Sequence, residues 1–403
     1  LYTKLSIFFG KNMRKGRVLL VGTSYGAMHM LLRLKKMGYR VGVCGGIEGD
    51  PCHKHADDSY YMDYSIKENL LKLCKENVFD YIVPTCNDYS YNSASYVSTK
   101  MDKFFGFDNY SVTNTLHEKK LFRRFTLENN LPAPRSISRN EIITDKLSSL
   151  PFPMLVKPND SFSGKGVTRI LSKDEARSAI DKAESFSTDG KAILEEFVDG
   201  TLHSHSVIIQ NGEILIDFFV DEFCTVYPYQ VNCSSLSYQL NSEVKTKVRS
   251  SILKIIKKLS LEDGLLHTQF IAKGNIFWLI ETMRRCPGDL YSELISKSTG
   301  FDYLDCYLKP FLNKKNPKKF NKNIKYIARH TVSVAKKIIL GSVDYATSTG
   351  SLNIVPLAEC GRVIRPAPFD KISIIFLEFK NREELVHGTP KIDELVTIHE
   401  IKI

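Results

Sequence analysis

Hydrophobic and polar positions follow two different periods along the first hundred residues. Short apolar runs at 17–22, 39–44 and 80–84 have the composition of buried β-strands, whereas residues 27–36 repeat their apolar side chains at the helical spacing of three to four positions. Strands that alternate with helices predict a parallel, doubly wound sheet. A ligand crevice is expected at the carboxyl ends of its strands.

Longer strands and helices are predicted in the middle of the chain. Apolar and polar residues alternate over 201–210 and 213–220, and the Asn-Gly pair between these segments is a strong signal for a β-hairpin. A helix over 242–258 precedes a second hairpin with strands at 265–272 and 276–283. This region is therefore expected to contain antiparallel strands.

Polar residues at two helix starts have the spacing of a capping box. In this motif a Ser side chain, with a Glu three residues later, satisfies free N–H groups of the first helical turn. Ser65 with Glu68 predicts a helix that continues through Cys74, and Ser172 with Glu175 predicts the start of another.

The chain is expected to form three parts. Its 403 residues are too many for one ordinary hydrophobic core. An N-terminal α/β domain is predicted over 1–112, followed by a middle region over 113–315 that includes a lid at about 150–200. Short strands, such as 372–379, predict a small β-rich C-terminal subdomain over 316–403.

The formal net charge of +11 and the pI near 9.0 suit acidic ligands such as nucleotides. The densest basic stretch, 309–325, contains Pro310 and Pro317 and is interpreted as a solvated linker rather than an arm that binds nucleic acid. Nine scattered cysteines without a C-x-x-C pair indicate a reducing compartment. No apolar run has the length of a membrane span. We therefore expect a cytoplasmic protein that acts on small molecules, with neither nucleic acid nor a membrane as a partner.

The segment 151–200 contains residue types that a polyphosphate requires. An apolar strand ends on Lys157 and leads into a Ser/Gly loop at 161–166, and a later apolar strand ends on Glu195 and Glu196. A Lys at a strand end and a loop of exposed backbone N–H groups both stabilise phosphate charge. Because the loop lacks the G-x-x-x-x-G-K-[ST] spacing, it is not a Walker A motif.

Four motifs together resemble those of the ATP-grasp superfamily. They are His117-Glu118-Lys119 followed by a helix and Leu131-Pro132-Ala133-Pro134, the loop 161–166, the hinge Leu194-Glu195-Glu196-Phe197-Val198, and Glu281-Thr282-Met283-Arg284-Arg285. The resemblance covers nearly the whole chain and is strongest between Glu118 and Leu290. It implies an α/β domain followed by an ATP-grasp fold with a mobile lid and an antiparallel-sheet core, which is a mixed α/β and α+β class.

The resemblance also implies which residues bind ATP. Lys119 matches the first ATP-binding lysine of the family, with Lys120 as the alternative, and Lys157 matches the second. The loop 161–166 would close over the β- and γ-phosphates, and the backbone near Glu195 and Val198 would bond the adenine. The implied ATP-binding residues are Lys119, Lys157, Ser161, Ser163, Gly164, Lys165, Gly166, Glu195, Glu196, Phe197 and Val198.

The implied Mg²⁺ site departs from the family pattern. Glu281 and Arg285 match it, but Gln269 replaces a carboxylate and Met283 replaces an asparagine. Gln269 and Glu281 are then the implied metal ligands, and weaker binding is expected because Mg²⁺ is commonly held through carboxylates. Arg285 matches the arginine that binds the acyl phosphate or γ-phosphate, so it is the implied catalytic residue.

Several polar residues near these motifs have two interpretations. Arg284 either contacts substrate or is an exposed neighbour of Arg285. Asp289 either supports the metal site or orients a substrate ammonium group. His203 and His205 share one face of their strand, where they either contact a ligand or are ordinary polar residues.

Two further motifs are assigned neither to a metal site nor to a dinucleotide site. The Cys52-His53-Lys54-His55 cluster follows a turn signal and matches no standard zinc spacing, so it is predicted to be a loop. Gly22 and Gly26 lack the G-x-G-x-x-G spacing of a dinucleotide site and are predicted to form a plain α/β turn that contributes to a substrate cleft.

The leading hypothesis is an ATP- and Mg²⁺-dependent ligase that phosphorylates a carboxylate and passes the acyl group to an amine. Its partners would be small-molecule carboxylate and amine substrates, and relatives suggest a homodimer. Two alternatives stay open: a catalytically impaired nucleotide-binding protein, and an enzyme that uses bicarbonate in the manner of carbamoyl-phosphate synthetase or a carboxylase.

Overall fold

Four parallel strands form the N-terminal sheet of the computed structural model, which describes residues 15–138, 151–161, 163–317, 323–346 and 350–402. The strands occur in the order β3-β2-β1-β4. Their bounds are β1 Arg17–Val21, β2 Arg40–Gly45, β3 Asp58–Tyr61 and β4 Tyr81–Pro84. The intervening helices are α1 Tyr25–Lys36, α2 Pro51–His55, α3 Lys67–Glu76 and α4 Asp88–Met101. The predicted alternation of strand and helix and the parallel sheet are confirmed.

Both capping-box predictions are wrong, although helices do follow. The Ser65 N–H and hydroxyl donate to Asp63, at 2.9 and 2.7 Å, and not into α3. The Ser172 side chain caps no helix, and Glu175 instead accepts the Leu171 N–H at 2.9 Å. The Ser65 hydroxyl and the Glu175 carboxylate therefore form hydrogen bonds within local turns instead of capping a helix.

The segment predicted to be a loop around Cys52 is helical instead. Pro51 lies in the first turn of α2, where its missing N–H costs nothing and its fixed φ suits a helix. Cys52 is buried, and the His53 ring stacks on Tyr61 with 4.3 Å between centroids. These contacts give the cluster a packing role.

A small antiparallel sheet forms the region predicted to be the lid. Its strands follow the order β5-β8-β6-β7. Their bounds are β5 Ser136–Ser138, β6 Met154–Pro158, β7 Thr168–Ile170 and β8 Ala192–Glu196. The sheet is preceded by α5 Tyr110–His117 and α6 Lys119–Glu128, and α7 Ala176–Ser185 packs on it through its own apolar cluster. The lid therefore has a core separate from the rest of the molecule.

Eight antiparallel strands make the main sheet, in the order β13-β12-β9-β10-β11-β14-β18-β16. Their bounds are β9 Thr201–Gln210, β10 Glu213–Phe223, β11 Cys233–Leu236, β12 Gly264–Lys273, β13 Ile276–Met283, β14 Tyr326–Val332, β16 Leu352–Pro356 and β18 Ser373–Phe379. The helix α8 Ser242–Leu259 buries Val248, Ile252 and other apolar residues against this sheet. The helices α9 Tyr291–Thr299 and α10 Tyr303–Phe311 share a hydrophobic cluster with the N-terminal sheet.

The main sheet crosses the boundary predicted at 315/316. Strands β14, β18 and β16 come from the C-terminal part and extend the sheet beyond β11. The remaining C-terminal elements are β15 Ile338–Tyr345, β17 Val363–Ile364, β19 Val396–Glu400, the helix α11 Arg382–Gly388 and the 3₁₀ turn Thr389–Leu395. The C-terminal part is β-rich, as predicted, and the domain boundaries themselves stay predictions.

Within the described ranges, no helix combines the length and the apolar character needed to cross a membrane.

Candidate active site

A cavity of about 1090 Å³ lies between the lid sheet, the main sheet and the carboxyl-end loops of the N-terminal sheet. All of the predicted site residues except Gly166 and Arg284 line it. Those that do are Lys119, Lys157, Ser161, Ser163, Gly164, Lys165, Glu195, Glu196, Phe197, Val198, Gln269, Glu281, Arg285 and Asp289. Residues far apart in the sequence are therefore brought together.

A buried ion-pair triad stands at the lid side of the cavity. The Lys157 ammonium contacts Glu195 Oε2 at 2.6 Å, and Arg123 Nε contacts Glu195 Oε1 at 2.7 Å. Burial alone would raise the pKa of Glu195, but Arg123 and Lys157 outweigh that effect and lower the pKa to about 2. Glu195 therefore stays ionised and holds Lys157 at the end of β6.

Lys119 reaches the cavity from the start of α6. Its Nζ donates to the Ser161 carbonyl oxygen at 2.6 Å, which ties α6 to the lid loop. Burial lowers the pKa of Lys119, and the nearby Glu281 carboxylate opposes that shift. The neighbouring Lys120 is exposed and does not line the cavity. The geometry therefore favours Lys119 over Lys120.

The lid loop touches the connection between β10 and β11 through backbone and glycine. Gly164 has a φ of +70°, and a Cβ added there would lie 2.3 Å from the Tyr229 carbonyl oxygen. The Tyr227 hydroxyl donates to the Gly164 carbonyl at 3.2 Å. Gly166 faces Pro158 and Phe186 rather than the cavity, so it shapes the turn. Phe162 lies outside the described residues.

The Lys165 ammonium lies near other positively charged side chains. Burial lowers its pKa, and the positive charges of Lys371 and Arg365 lower it further. Mutual repulsion of cations is relieved when an anion binds among them. This corner of the cavity therefore suits an anionic group.

The hinge offers backbone groups to the cavity. The Glu196 and Phe197 N–H groups donate to the carbonyls of Arg135 and Pro153, at 3.0 and 3.1 Å. The Val198 N–H has no hydrogen-bond partner among the described residues, and Val198 lines the cavity. This donor is available to a heterocyclic ring such as adenine.

The predicted metal end lies across two neighbouring strands. Gln269 of β12 is directly opposite Glu281 of β13, and its Nε2 donates to Glu222 Oε2 at 2.6 Å. The Glu281 carboxylate has no hydrogen-bond or ion-pair partner among the residues described, and it borders the cavity. Carboxylate and amide oxygens are hard donors of the kind that Mg²⁺ accepts, so these residues fit the ion. No group of three or more His, Cys, Asp or Glu side chains in the described ranges is arranged to hold a metal.

Arg285 is held by a carboxylate from the N-terminal domain. Its Nη2 and Nε donate to the two oxygens of Asp88, at 2.8 and 3.2 Å. The same Asp88 contacts His117 Nδ1 at 3.1 Å. Although burial opposes the shift, Arg285 and His117 hold the pKa of Asp88 well below its usual range. The guanidinium is thereby fixed at the wall of the cavity.

The structure corrects both interpretations of Arg284. Its side chain is 1% exposed and does not line the cavity. Its Nε contacts Asp108 at 2.7 Å, and its terminal nitrogens donate to the carbonyls of Leu265 and Glu262. The residue is a buried link between β12, β13 and the segment before α5, and not a substrate contact or an exposed neighbour.

Asp289 joins three parts of the chain. It accepts the Tyr25 hydroxyl at 2.7 Å and pairs with the Lys371 ammonium, and Thr331 donates to it at 3.2 Å. Burial raises the pKa of its carboxyl, but Lys371 and Arg329 outweigh burial and lower it to about 2. Asp289 lines the cavity.

The two histidines of β9 differ in their access to the cavity. His203 lines it and contacts Asp221 at 2.8 Å. His205 is fully buried, contacts Asp217 at 2.7 Å and stacks on Phe219. His205 is therefore an ordinary buried strand residue, and only His203 stays a ligand candidate.

Several residues of the cavity region were missed in the sequence. They are Asp88, Glu222, Arg329 and Lys371, whereas Tyr25 lies in the turn that was predicted to contribute to a substrate cleft. Tyr25 and Asp88 are the first residues of α1 and α4, the helices that follow β1 and β4, so the rule for parallel sheets could have found Asp88 as well. The other three belong to no motif, because they reach the cavity only through the pairing order of the main sheet.

Comparison with known proteins agrees with this geometry. Residues 130–288 match the family described as D-ala D-ala ligase C-terminus. The matched segment is less than half of the chain, and it bears out the predicted resemblance to the ATP-grasp superfamily. The predicted fold class is confirmed.

Individual relatives of this chain are distant. The carbamoyl phosphate synthase large chain of Vibrio vulnificus is 26% identical over 172 residues, which cover 42% of this chain and 16% of the relative. The chain thus spans about a sixth of that relative's length. The L-amino acid ligase of Bacillus licheniformis has a TM-score of 0.78 at 14% identity, with 96% of this chain and 100% of that chain covered.

A second similar structure contains a nucleotide. It is the biotin carboxylase domain of the Hydrogenobacter thermophilus 2-oxoglutarate carboxylase, in complex with MgADP, ADP and bicarbonate. Its TM-score is 0.76 at 14% identity, with 96% of this chain and 91% of that chain covered. At these identities the structural likeness shows the fold alone.

Proposed function

We propose that this protein is an ATP-dependent ligase that joins a carboxylate to an amine through an acyl phosphate. The observation that carries the proposal is the single cavity in which Lys119, Lys157, the glycine-rich lid loop, Glu281 and Arg285 face one another. The reaction classes of the ATP-grasp relatives support it. No side-chain nucleophile is needed, because phosphoryl transfer depends on positioning and on charge neutralisation.

Residues on the lid side hold the nucleotide. The Val198 N–H would bond the adenine, while Lys157 and Lys119 spread positive charge over the phosphates. The backbone of Ser161, Ser163 and Gly164 would cover the terminal phosphates when the lid closes. Mg²⁺, held by Glu281 and Gln269, would neutralise phosphate charge and orient the phosphates for in-line transfer.

Residues on the other side position the acid. A substrate carboxylate oxygen attacks the γ-phosphorus, the bond to ADP breaks, and an acyl phosphate forms. Arg285, whose Nε and one Nη2 proton are held by Asp88, would bind this group through the remaining protons of its two Nη nitrogens. The amine nitrogen then attacks the acyl carbon and phosphate leaves. Asp289 and Tyr25 lie where they could orient that amine, since Asp289 is an ionised carboxylate at the cavity wall.

The proposal is tested by ADP release from Mg-ATP against a panel of carboxylic acids, bicarbonate included, each with and without amines. Turnover that depends on one acid and disappears in a Glu281→Gln variant establishes the ligase. Amide product should accumulate with the ADP in equal amounts. ADP release that requires bicarbonate would instead establish the carboxylase-like alternative.

A second candidate function is nucleotide binding without turnover. The replacement of family ligands by Gln269 and Met283 favours it. ATP binding that is indifferent to Mg²⁺, with no acid provoking ADP release, would select this candidate over the ligase.

A homodimer and a cytoplasmic location remain part of the proposal. Sedimentation velocity tests the first and fractionation of the source cells tests the second.

A further inference from the structure

A second carboxylate lies beside the predicted metal ligands. Glu222, near the end of β10, is 6% exposed and borders the cavity. Its Oε2 accepts the Gln269 amide N–H at 2.6 Å. Gln269 is in turn directly opposite Glu281 in the β12–β13 ladder. Three oxygen-bearing side chains from three strands therefore meet at one place on the sheet.

Strand pairing explains why Glu222 reaches this place. Strand β9 separates β10 from β12, and its residue opposite Gln269 is Ser204. Serine is small, so the Gln269 and Glu222 side chains can meet across it. The Ser204 hydroxyl also bonds Glu222. None of this can be read from the sequence, since 47 positions separate Glu222 from Gln269.

The surroundings of Glu222 are unusual for a buried carboxylate. Buried charges are normally paired with an opposite charge. Among the described residues, however, Glu222 forms no ion pair, and its hydrogen-bond partners Gln269 and Ser204 are neutral groups. Arg329 lies nearby, but its guanidinium donates to the Asp289 carbonyl and to Ser234. The Glu281 carboxylate is close enough to repel Glu222 electrostatically. Two carboxylates that repel each other in this way are stabilised by a shared cation.

We propose that Glu222 is a direct ligand of the divalent cation and supplies the carboxylate that Gln269 cannot. The site then has two carboxylates, Glu222 and Glu281, and one amide oxygen, from Gln269. That donor set suits Mg²⁺ or Mn²⁺, with water and phosphate oxygens as the other ligands. The proposal rests on the ATP-dependent function above, and it explains how the site keeps two negative charges despite the Gln269 replacement.

The test is Mn²⁺ affinity of the full chain, measured by electron paramagnetic resonance of free Mn²⁺ with a non-hydrolysable ATP analogue present. Glu222→Gln should weaken Mn²⁺ binding on the order of 10- to 100-fold. Affinity for the metal-free analogue should change less than threefold. Asp217→Asn is the matched control, because Asp217 is on the same strand but pairs with His205 and Arg249 away from the cavity.

A double variant keeps the proposal testable if Glu222→Gln does not fold. Glu222→Gln with Gln269→Glu exchanges the amide and the carboxylate, so the hydrogen bond and the net charge are kept. If both positions bind the cation, Mn²⁺ affinity stays within about threefold of the wild type. If position 222 contributes nothing, the new carboxylate at 269 tightens binding tenfold or more, which overturns the proposal.

Two other results separate this inference from the proposed function. Unchanged Mn²⁺ affinity in Glu222→Gln, together with a loss in Glu281→Gln, overturns the role of Glu222 alone. Failure of the wild-type protein to bind the Mn²⁺–analogue complex at all overturns the proposed function as well.

Discussion

Charged side chains inside the protein shape the wall of the cavity at the scale of single residues. Glu195 is enclosed by Lys157 and Arg123, and Arg284 is enclosed by Asp108 and two carbonyls. Removing one member of such a pair leaves the other charge buried without compensation. These residues should therefore affect stability at least as strongly as they affect ligand binding.

Arg284→Met is expected to destabilise the protein by about 3 kcal/mol or more, because it leaves Asp108 buried and unpaired. Urea unfolding at pH 7 measures the change. Arg249→Met is the control, since Arg249 is partly exposed and its pair with Asp217 should contribute about 1 kcal/mol or less. Nucleotide affinity of the folded Arg284→Met variant should equal that of the wild type. If the variant is as stable as the wild type but loses affinity for the acid substrate, Arg284 contacts the substrate after all.

Glu195→Gln is expected to make stability less dependent on pH. The folded-state pKa of Glu195 is about 2, below the ordinary value near 4.5, so the unfolded chain binds more protons between these pH values. Its contribution to the free energy of unfolding is therefore full above about pH 4.5 and is lost as the pH falls towards 2.

Urea unfolding of wild type and variant at pH 7, 5 and 3 checks this dependence. The difference should be about 3 kcal/mol at pH 7 and should shrink at pH 3. Glu196→Gln is the control, because Glu196 pairs with the largely exposed Arg135 and should change stability by less than about 1 kcal/mol. A difference that is the same at all three pH values would contradict the assignment.

The lid loop is the element whose conformation depends most on glycine. Gly164→Ala places a Cβ 2.3 Å from the Tyr229 carbonyl and also strains a φ of +70°. Gly190→Ala strains a φ of +66° in open space, with nothing within 4 Å. Both variants introduce backbone strain of about 1 kcal/mol. Only Gly164→Ala also disturbs the contact between the lid loop and Tyr229, so comparing the two variants separates these effects.

Nucleotide affinity should fall at least tenfold in Gly164→Ala and less than threefold in Gly190→Ala. Isothermal titration calorimetry with a non-hydrolysable ATP analogue measures both. Equal losses in the two variants would mean that contact between the lid loop and Tyr229 is irrelevant to nucleotide binding.

Elements differ in how well the sequence predicts them, and the reason is the range of the forces involved. Buried runs such as β1 and the Asn-Gly hairpin of β9 and β10 depend on burial pattern and local turn chemistry, and they occur where predicted. Whether a capping box forms depends on which of several nearby groups bonds the Ser side chain. Asp63 takes the Ser65 donors, and so the motif at 65–68 failed.

At the scale of the whole molecule, one cluster connects the N-terminal domain, the core and the C-terminal part. Tyr25 donates to Asp289, which also pairs with Lys371. A closed arrangement of the three parts around the cavity depends on such contacts. The cluster also lies where the proposed amine acceptor would bind.

Tyr25→Phe should raise KM for the acid or amine substrate by about tenfold and leave ATP affinity unchanged. A hydrogen bond to a charged group contributes about 1.5 kcal/mol or more, which corresponds to that factor. Steady-state ADP release checks it once a substrate is known. Tyr64→Phe is the control, because Tyr64 bonds Asn87 in the same domain and does not line the cavity. An equal effect in both variants would mean a general disturbance of the N-terminal domain.

The sequence predicted those residues of the candidate site that lie in family motifs. Lys119, Lys157, Glu281 and Arg285 lie in recognisable motifs, and the structure brings them to one cavity, although their roles remain predictions. The side chains that pair with these residues could not be predicted from the sequence. Asp88 lies 197 positions from Arg285, so only the packing of the domains reveals the pair.

The shared sheet of the core and the C-terminal part has a consequence for synthesis of the chain. Strand β11 is paired on one side by β10 as soon as both have left the ribosome, but its other neighbour, β14, is translated about ninety residues later. During that interval β11 is an open edge that can pair with another nascent chain. A premature stop codon after residue 315 would make that exposure permanent, and it would delete Arg329 and Lys371 as well. Truncated products of this gene should therefore accumulate as aggregates rather than as a smaller nucleotide-binding protein.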